Sequence, residues 1–143
     1  MNPLPTTPTF ASVQVGDRLP ELQLPPVDRT MLALFAGASG DHNPIHIDTD
    51  VARRAGMPDV FAQGMFGMAW LGRVLTGWAP QSRLRRYGVR FQGITHLGHA
   101  MRCSGRIVEK LEHEGEACVR IELESINQHG QPRIVGDAIV ALP

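Results

Sequence analysis

The segment from Val60 to Ala79, VFAQGMFGMAWLGRVLTGWA, sets the tightest limit on what this chain can fold into. A helix apolar on nearly every side must be surrounded, either by lipid or by the rest of its own protein. A bilayer crossing takes about 20 predominantly apolar residues, so length alone does not separate the two cases. Gln63, Arg73 and four glycines interrupt the segment, and no second stretch of this kind exists. The expectation is a helix buried at the centre of a globular domain, ended by Pro80, with no membrane association.

Something must cover that helix, and the last third of the chain has the pattern for it. In RLRRYGVRFQG, residues Tyr87, Val89 and Phe91 share one face, with Arg86, Arg90 and Gln92 on the other. EACVRIELESIN alternates in the same way, with Ala117, Val119, Ile121 and Leu123 expected inward. Turns are expected near Glu114–Gly115 and in QHGQPR, so the strands follow one another antiparallel through short connections. FASVQVGDRLPELQLP reads as extended chain with a turn at Gly16–Asp17. DRTMLALFAGASG reads as a helix capped by Asp28 and closed by Gly37 or Gly40. TDVARRAG is a shorter helix, with Thr49 or Asp50 as its cap. The economical fold is α+β: an antiparallel sheet of about five strands curled round the central helix, the hot-dog arrangement.

A chain of 143 residues fits one domain with its own core, here placed over residues 10–143. Residues 1–9, with three prolines, read as a flexible arm, and they have neither the basic nor the apolar region of a secretory signal. Lys+Arg and Asp+Glu are both 14, so no net field recommends nucleic acid as a partner. Cys103 and Cys118 lack metal spacing and fit reduced thiols in a cytoplasmic protein.

The chemistry-bearing stretch is GDHNPIHID, Gly40 to Asp48. Asp, Asn and Pro shape turns whether or not they do chemistry. Its setting argues for more than a turn: it lies between a glycine-closed helix and the start of the buried one, where AQGMFG forms a second polar island. A glycine at a helix N-terminus lets a ligand approach backbone N–H groups of partial positive charge, which suits a carbonyl oxygen gaining charge. A metal centre from His42, His46 and Asp48, with His96 or His99 added, fits poorly because these histidines sit beside prolines and turns. GASGD matches neither a serine-hydrolase nor a phosphate-loop motif.

FAGASGDHNPIHID followed by DVFAQGM resembles the MaoC-like family of (R)-specific enoyl-CoA hydratases and 3-hydroxyacyl-thioester dehydratases. The family pattern is an aspartate, an Asn-Pro pair, a histidine five residues after the aspartate, and a glycine at the start of the central helix. Asp41, Asn43–Pro44, His46 and Gly64 match it, and FASVQVGDRLPE and YGVRF resemble the family's strands on either side. One departure is Gln63, where the family has a histidine; GITHLGHAM also replaces a proline-rich stretch.

The resemblance implies reversible addition of water to trans-2-enoyl thioesters, giving (R)-3-hydroxyacyl thioesters, on CoA or an acyl carrier. It assigns Asp41 and His46 to the reacting water, Gly64 N–H to the thioester oxygen, and Asn43 and Gln63 to loop and substrate. It requires no metal or other cofactor, and implies a place in fatty acid metabolism. At least a homodimer is expected, because a small sheet on one side of an apolar helix leaves an unpaired edge and an exposed hydrophobic flank. Met65, Phe66, Met68 and Trp70 are candidates along the acyl chain, and Arg83 to Arg86 with Arg90 for the CoA phosphates. The competing readings are a hot-dog thioesterase and a non-catalytic acyl-CoA-binding subunit, the latter resting on Gln63.

Overall fold

The structure, a computed structural model, describes residues 7–143. Of the arm expected over residues 1–9, residues 1–6 lie outside the described residues. Thr9 caps a short 3-10 turn, Phe10–Ser12, and Phe10 N–H donates to Pro143 O at 2.8 Å.

Five strands form one antiparallel sheet: β1 (Leu22–Gln23), β2 (Leu84–Phe91), β3 (Arg102–His113), β4 (Glu116–Ile126) and β5 (Pro132–Ala141). Their spatial order is β1-β3-β4-β5-β2, so β2 crosses back to close one edge beside β5. The other edge is lined by the first extended stretch, with Gly16 N–H on Ile107 O, Leu19 N–H on Gly105 O and Leu24 N–H on Met101 O. Glu114 (φ 51) and Gly115 (φ 81) form the β3–β4 turn in left-handed backbone, as a tight hairpin requires.

Helix α1 (Arg29–Ser39) starts where Asp28 Oδ1 accepts Met31 N–H at 2.8 Å. It ends at Gly40 (φ 76), whose N–H returns to Ala36 O; Gly37 stays inside the helix. Helix α2 (Thr49–Arg54) is capped by Asp48, which accepts from both Asp50 and Val51 N–H. Thr49 and Asp50, the expected caps, are therefore its first residues. The Thr49 hydroxyl instead donates to Asp59 Oδ1 at 2.8 Å. Asp59 also accepts from Val60 N–H and pairs with Arg29, so one carboxylate joins α1, α2 and the approach to the central helix. The Thr49 hydroxyl, then the Val60 N–H, hold its carboxyl below the ordinary range.

The central helix is α3 (Gly64–Thr76), shorter than the apolar segment that contains it. Gly77 ends it with an N–H to Arg73 O at 2.9 Å, three residues before the proline expected to do so. Phe66, Trp70, Leu71, Val74 and Leu75 are buried against Ile107, Val119, Ile121, Leu123 and Ile134 in one continuous core. Ala117, near the start of β4, is exposed rather than inward. No helix among the described residues is long and apolar enough to cross a membrane.

Candidate active site

After Gly40 the chain leaves α1 and cannot re-enter a helix until Pro44. Asn43 Oδ1 accepts Ile45 N–H at 3.1 Å, and Pro44 opens a 3-10 turn, Pro44–His46. Proline suits that first position because its missing N–H has no partner there in any case. Asp41 N–H donates to Ser39 Oγ at 3.2 Å, and Ser39 in turn bonds Phe35 O. Asp41 Oδ1 accepts Asn43 N–H at 3.3 Å. The carboxylate is thus held by the loop through one oxygen and half-buried.

The same turn delivers His46. Its Nδ1 lies 2.8 Å from Phe61 O, and its ring meets the Phe61 ring edge-on, centroids 5.0 Å apart. A carbonyl oxygen only accepts, so Nδ1 carries the hydrogen and Nε2 is the lone-pair nitrogen of the neutral ring. Phe61 was not among the expected site residues, because a backbone carbonyl leaves no mark in sequence.

Two residues later Gln63 is 1% exposed and Nε2 donates to Leu32 O at 3.1 Å, bracing α3 against α1. Its Oε1 has no partner among the described residues. Gly64 opens α3, whose first-turn N–H groups point out of the helix end. A Cβ on Gly64 would stand 3.2 Å from the Phe91 ring, so glycine is what lets that ring lie over the helix start. Phe91 is 52% exposed.

A cavity of about 410 Å³ opens at this point, lined by Phe61, Gln63, Gly64, Gly67, Phe91 and Thr95 among others. Of the expected site residues, Gln63 and Gly64 line it directly and His46 is joined to it through Phe61. Asp41 and Asn43 stand on the neighbouring loop, and no direct hydrogen bond joins Asp41 to His46 among the described residues. Of the acyl-chain candidates, Phe66 packs between Phe35 and Trp70 in the core, and α3 lines the cavity through Gly64 and Gly67. Tyr87 OH donates to Met68 O at 2.6 Å, and its phenol is pushed up, mainly by burial.

The other sequence candidates separate from the site. Asp48 is a helix cap and His42 is exposed. His96 and His99 lie together in the β2–β3 connection. No three His, Cys, Asp or Glu side chains converge on a metal position among the described residues. Arg85 is bound to Glu116, with Nη2 on Oε1 at 2.8 Å, and Arg86 and Arg90 lie on the outer sheet face among Glu122, Glu124 and Asp137.

Comparison with known proteins follows the same outline. The family model described as MaoC like domain matches residues 4–129. The fatty acid synthase subunit beta of Saccharomyces cerevisiae is 29% identical over 114 residues, 76% of this chain but only 5% of that subunit. The mitochondrial 3-hydroxyacyl-[acyl-carrier-protein] dehydratase of Arabidopsis thaliana is 22% identical over 132 residues, 92% of this chain and 78% of that protein. Among solved structures, the unliganded R-hydratase PhaJ1 of Pseudomonas aeruginosa superposes with a TM-score of 0.81 at 26% identity, covering 94% of this chain and 85% of that one.

Proposed function

The chain belongs to the MaoC-like dehydratase family, and from that membership we propose that it is a hydro-lyase adding water reversibly to trans-2-enoyl thioesters of CoA or an acyl carrier. The product is the (R)-3-hydroxyacyl thioester. The observation that carries this reading is the tethered imidazole: His46 Nδ1–H on Phe61 O leaves Nε2 as the lone-pair nitrogen and anchors the ring to the segment that runs into Gly64 and α3.

Hydration needs three things: a group to take a proton from water, a donor for the thioester oxygen, and a proton for Cα. The Asp41 carboxylate and His46 Nε2, with a water held between them, supply the first. As its oxygen bonds to Cβ, a proton passes to the Asp41–His46 pair and the double-bond electrons move toward the thioester carbonyl. The oxygen that gains charge is met by Gly64 N–H, reinforced by the partial positive end of α3. One preorganised donor of this type lowers the barrier by about 3 kcal/mol. Return of the proton to Cα completes the addition of H and OH. An imidazole suits the shuttle because its ordinary titration range lies nearest neutral pH.

Asp41→Asn keeps the turn but removes the charge on the water, and His46→Gln keeps a hydrogen-bonding side chain without proton transfer. Each is expected to lose turnover of crotonyl-CoA by about 10²- to 10⁴-fold with an unchanged melting temperature. The double variant is expected to be little worse than either, because both groups act on one water. Loss of enoyl absorbance and chiral analysis of the product provide the measurement. Near-parental hydration by folded Asp41→Asn would sink the mechanism, and release of free thiol in place of hydration would make the protein a thioesterase.

A further inference from the structure

The outer sheet face is rich in arginine, yet its cations have carboxylates close by: Arg106 with Glu122, Arg120 with Glu109 and Arg85 with Glu116. At the cavity end the arrangement differs. Arg133 on β5 lies across Gly93, where a Cβ would stand 2.3 Å from its Nη1, and Gly93 lines the cavity. Its Nη2 donates to Gln131 Oε1, its Nε is buried with no partner, and it forms no ion pair among the described residues.

Three histidines stand with it. The rings of His96 and His99 meet edge-on at 5.4 Å, and those of His99 and His129 at 6.4 Å. His96 follows the cavity residue Thr95 and bridges Phe61, while His99 Nδ1 accepts His96 N–H at 3.2 Å. None of the three forms an ion pair with a carboxylate among the described residues, and burial, then the charges of Arg133, His96 and His129, hold the His99 imidazole below its ordinary range. Four cationic or cation-forming side chains gathered with no ion pair among the described residues are an electrostatic arrangement that an anion completes.

The geometry points to an anion site formed by Arg133, His96, His99 and His129 that binds the phosphate end of the substrate's pantetheine arm. The shared chemistry is a phosphate ester, whether it belongs to CoA or to the phosphopantetheine of a carrier protein. The assignment rests on the thioester reading above, and it replaces Arg83 to Arg86 and Arg90 as the phosphate contacts. Arginine supplies a planar fork of donors to phosphate oxygens, and each imidazole adds an N–H.

The test compares crotonyl-CoA, crotonyl-phosphopantetheine and crotonyl-pantetheine, which carry progressively less phosphate, in the parent, Arg133→Gln and His99→Gln proteins. In the parent, removing all phosphate is expected to raise KM. Arg133→Gln is expected to raise KM for the phosphate-bearing thioesters about tenfold or more, the loss of one charge-assisted contact, with kcat unchanged and crotonyl-pantetheine unaffected. A drop from crotonyl-CoA to crotonyl-phosphopantetheine would assign the site to the nucleotide phosphates of CoA. A drop only on losing the last phosphate would assign it to the group that CoA and carrier protein share. Equal KM changes for all three thioesters in both variants, or a parent indifferent to phosphate, would overturn the site. Calorimetric titration with 3′,5′-ADP and with pyrophosphate tests it without turnover. Binding lost in Arg133→Gln supports the site even if no thioester is hydrated, whereas no binding by the parent, with hydration intact, removes the site and leaves the hydratase reading standing.

Discussion

Gln63 shows most clearly what a residue's type does and does not reveal. In sequence it stands out as a polar residue at the head of an apolar helix. The structure adds that its Nε2 is committed to Leu32 O, which fixes the amide orientation because that carbonyl cannot donate. What it turns toward other groups is an unpartnered acceptor, Oε1. Gln63→Ala removes the brace between α1 and α3 and leaves a hole, so it is expected to destabilise by about 2 kcal/mol. In a domain of this size that is a melting temperature lower by roughly 5–10 °C, checked by calorimetry. Gln63→His, in contrast, is expected to change turnover modestly, since Asp41 and His46 hold the water. Rescue of an inactive parent by that substitution would instead favour the binding-subunit reading. Asp48 illustrates the opposite confusion: inside a polar cluster its carboxylate looked available for chemistry, but its position just before the helix makes it the cap.

Among the elements, strands with one buried face were legible because alternation survives in the residues themselves: Val119, Ile121 and Leu123 are buried as their spacing requires. What alternation cannot report is how tightly a sheet curls. Gly136 on β5 lies opposite Val89 of β2 and Leu123 of β4. A Cβ there would stand 2.3 Å from Gly88 O and 2.9 Å from Val89 Cγ1. The first of these is backbone and cannot rotate away, so β2 would have to move off β5. Gly136→Ala is therefore expected to cost about 1–3 kcal/mol or more. Gly67→Ala on α3 meets only the tip of Ile134, at 2.6 Å, which can turn aside. Removing helical glycine is itself favourable by about 1 kcal/mol, so this second variant is expected to be much the milder. Chemical denaturation of the pair measures the difference, and equal losses would show that the sheet does not depend on this close approach.

For the whole molecule, the helix-in-sheet plan followed from one unplaceable apolar segment plus alternating strands, whereas the order of the strands did not. Nothing in the residues of β2 says that it pairs with β5 and not with the strand that follows it in sequence. That placement matters for assembly, because among the described residues it leaves β2 with an unpaired edge eight residues long. Phe91 at its end, Ile94 just beyond and Met65 on α3 are 52%, 39% and 57% exposed. An open edge beside exposed apolar side chains is a pairing surface unless something covers it, and the occupant with a matching antiparallel edge is a second copy of β2. Such pairing would join two curled sheets into one and bring the partner close to the cavity that Phe91 and Ile94 line. Sedimentation is therefore expected to give twice the 15.7 kDa chain mass at micromolar concentration. Phe91→Glu, which places a charge on that apolar surface, is expected to weaken the assembly while each chain stays folded. A stable monomer in the parent protein, with the cavity active, would show that one curled sheet suffices.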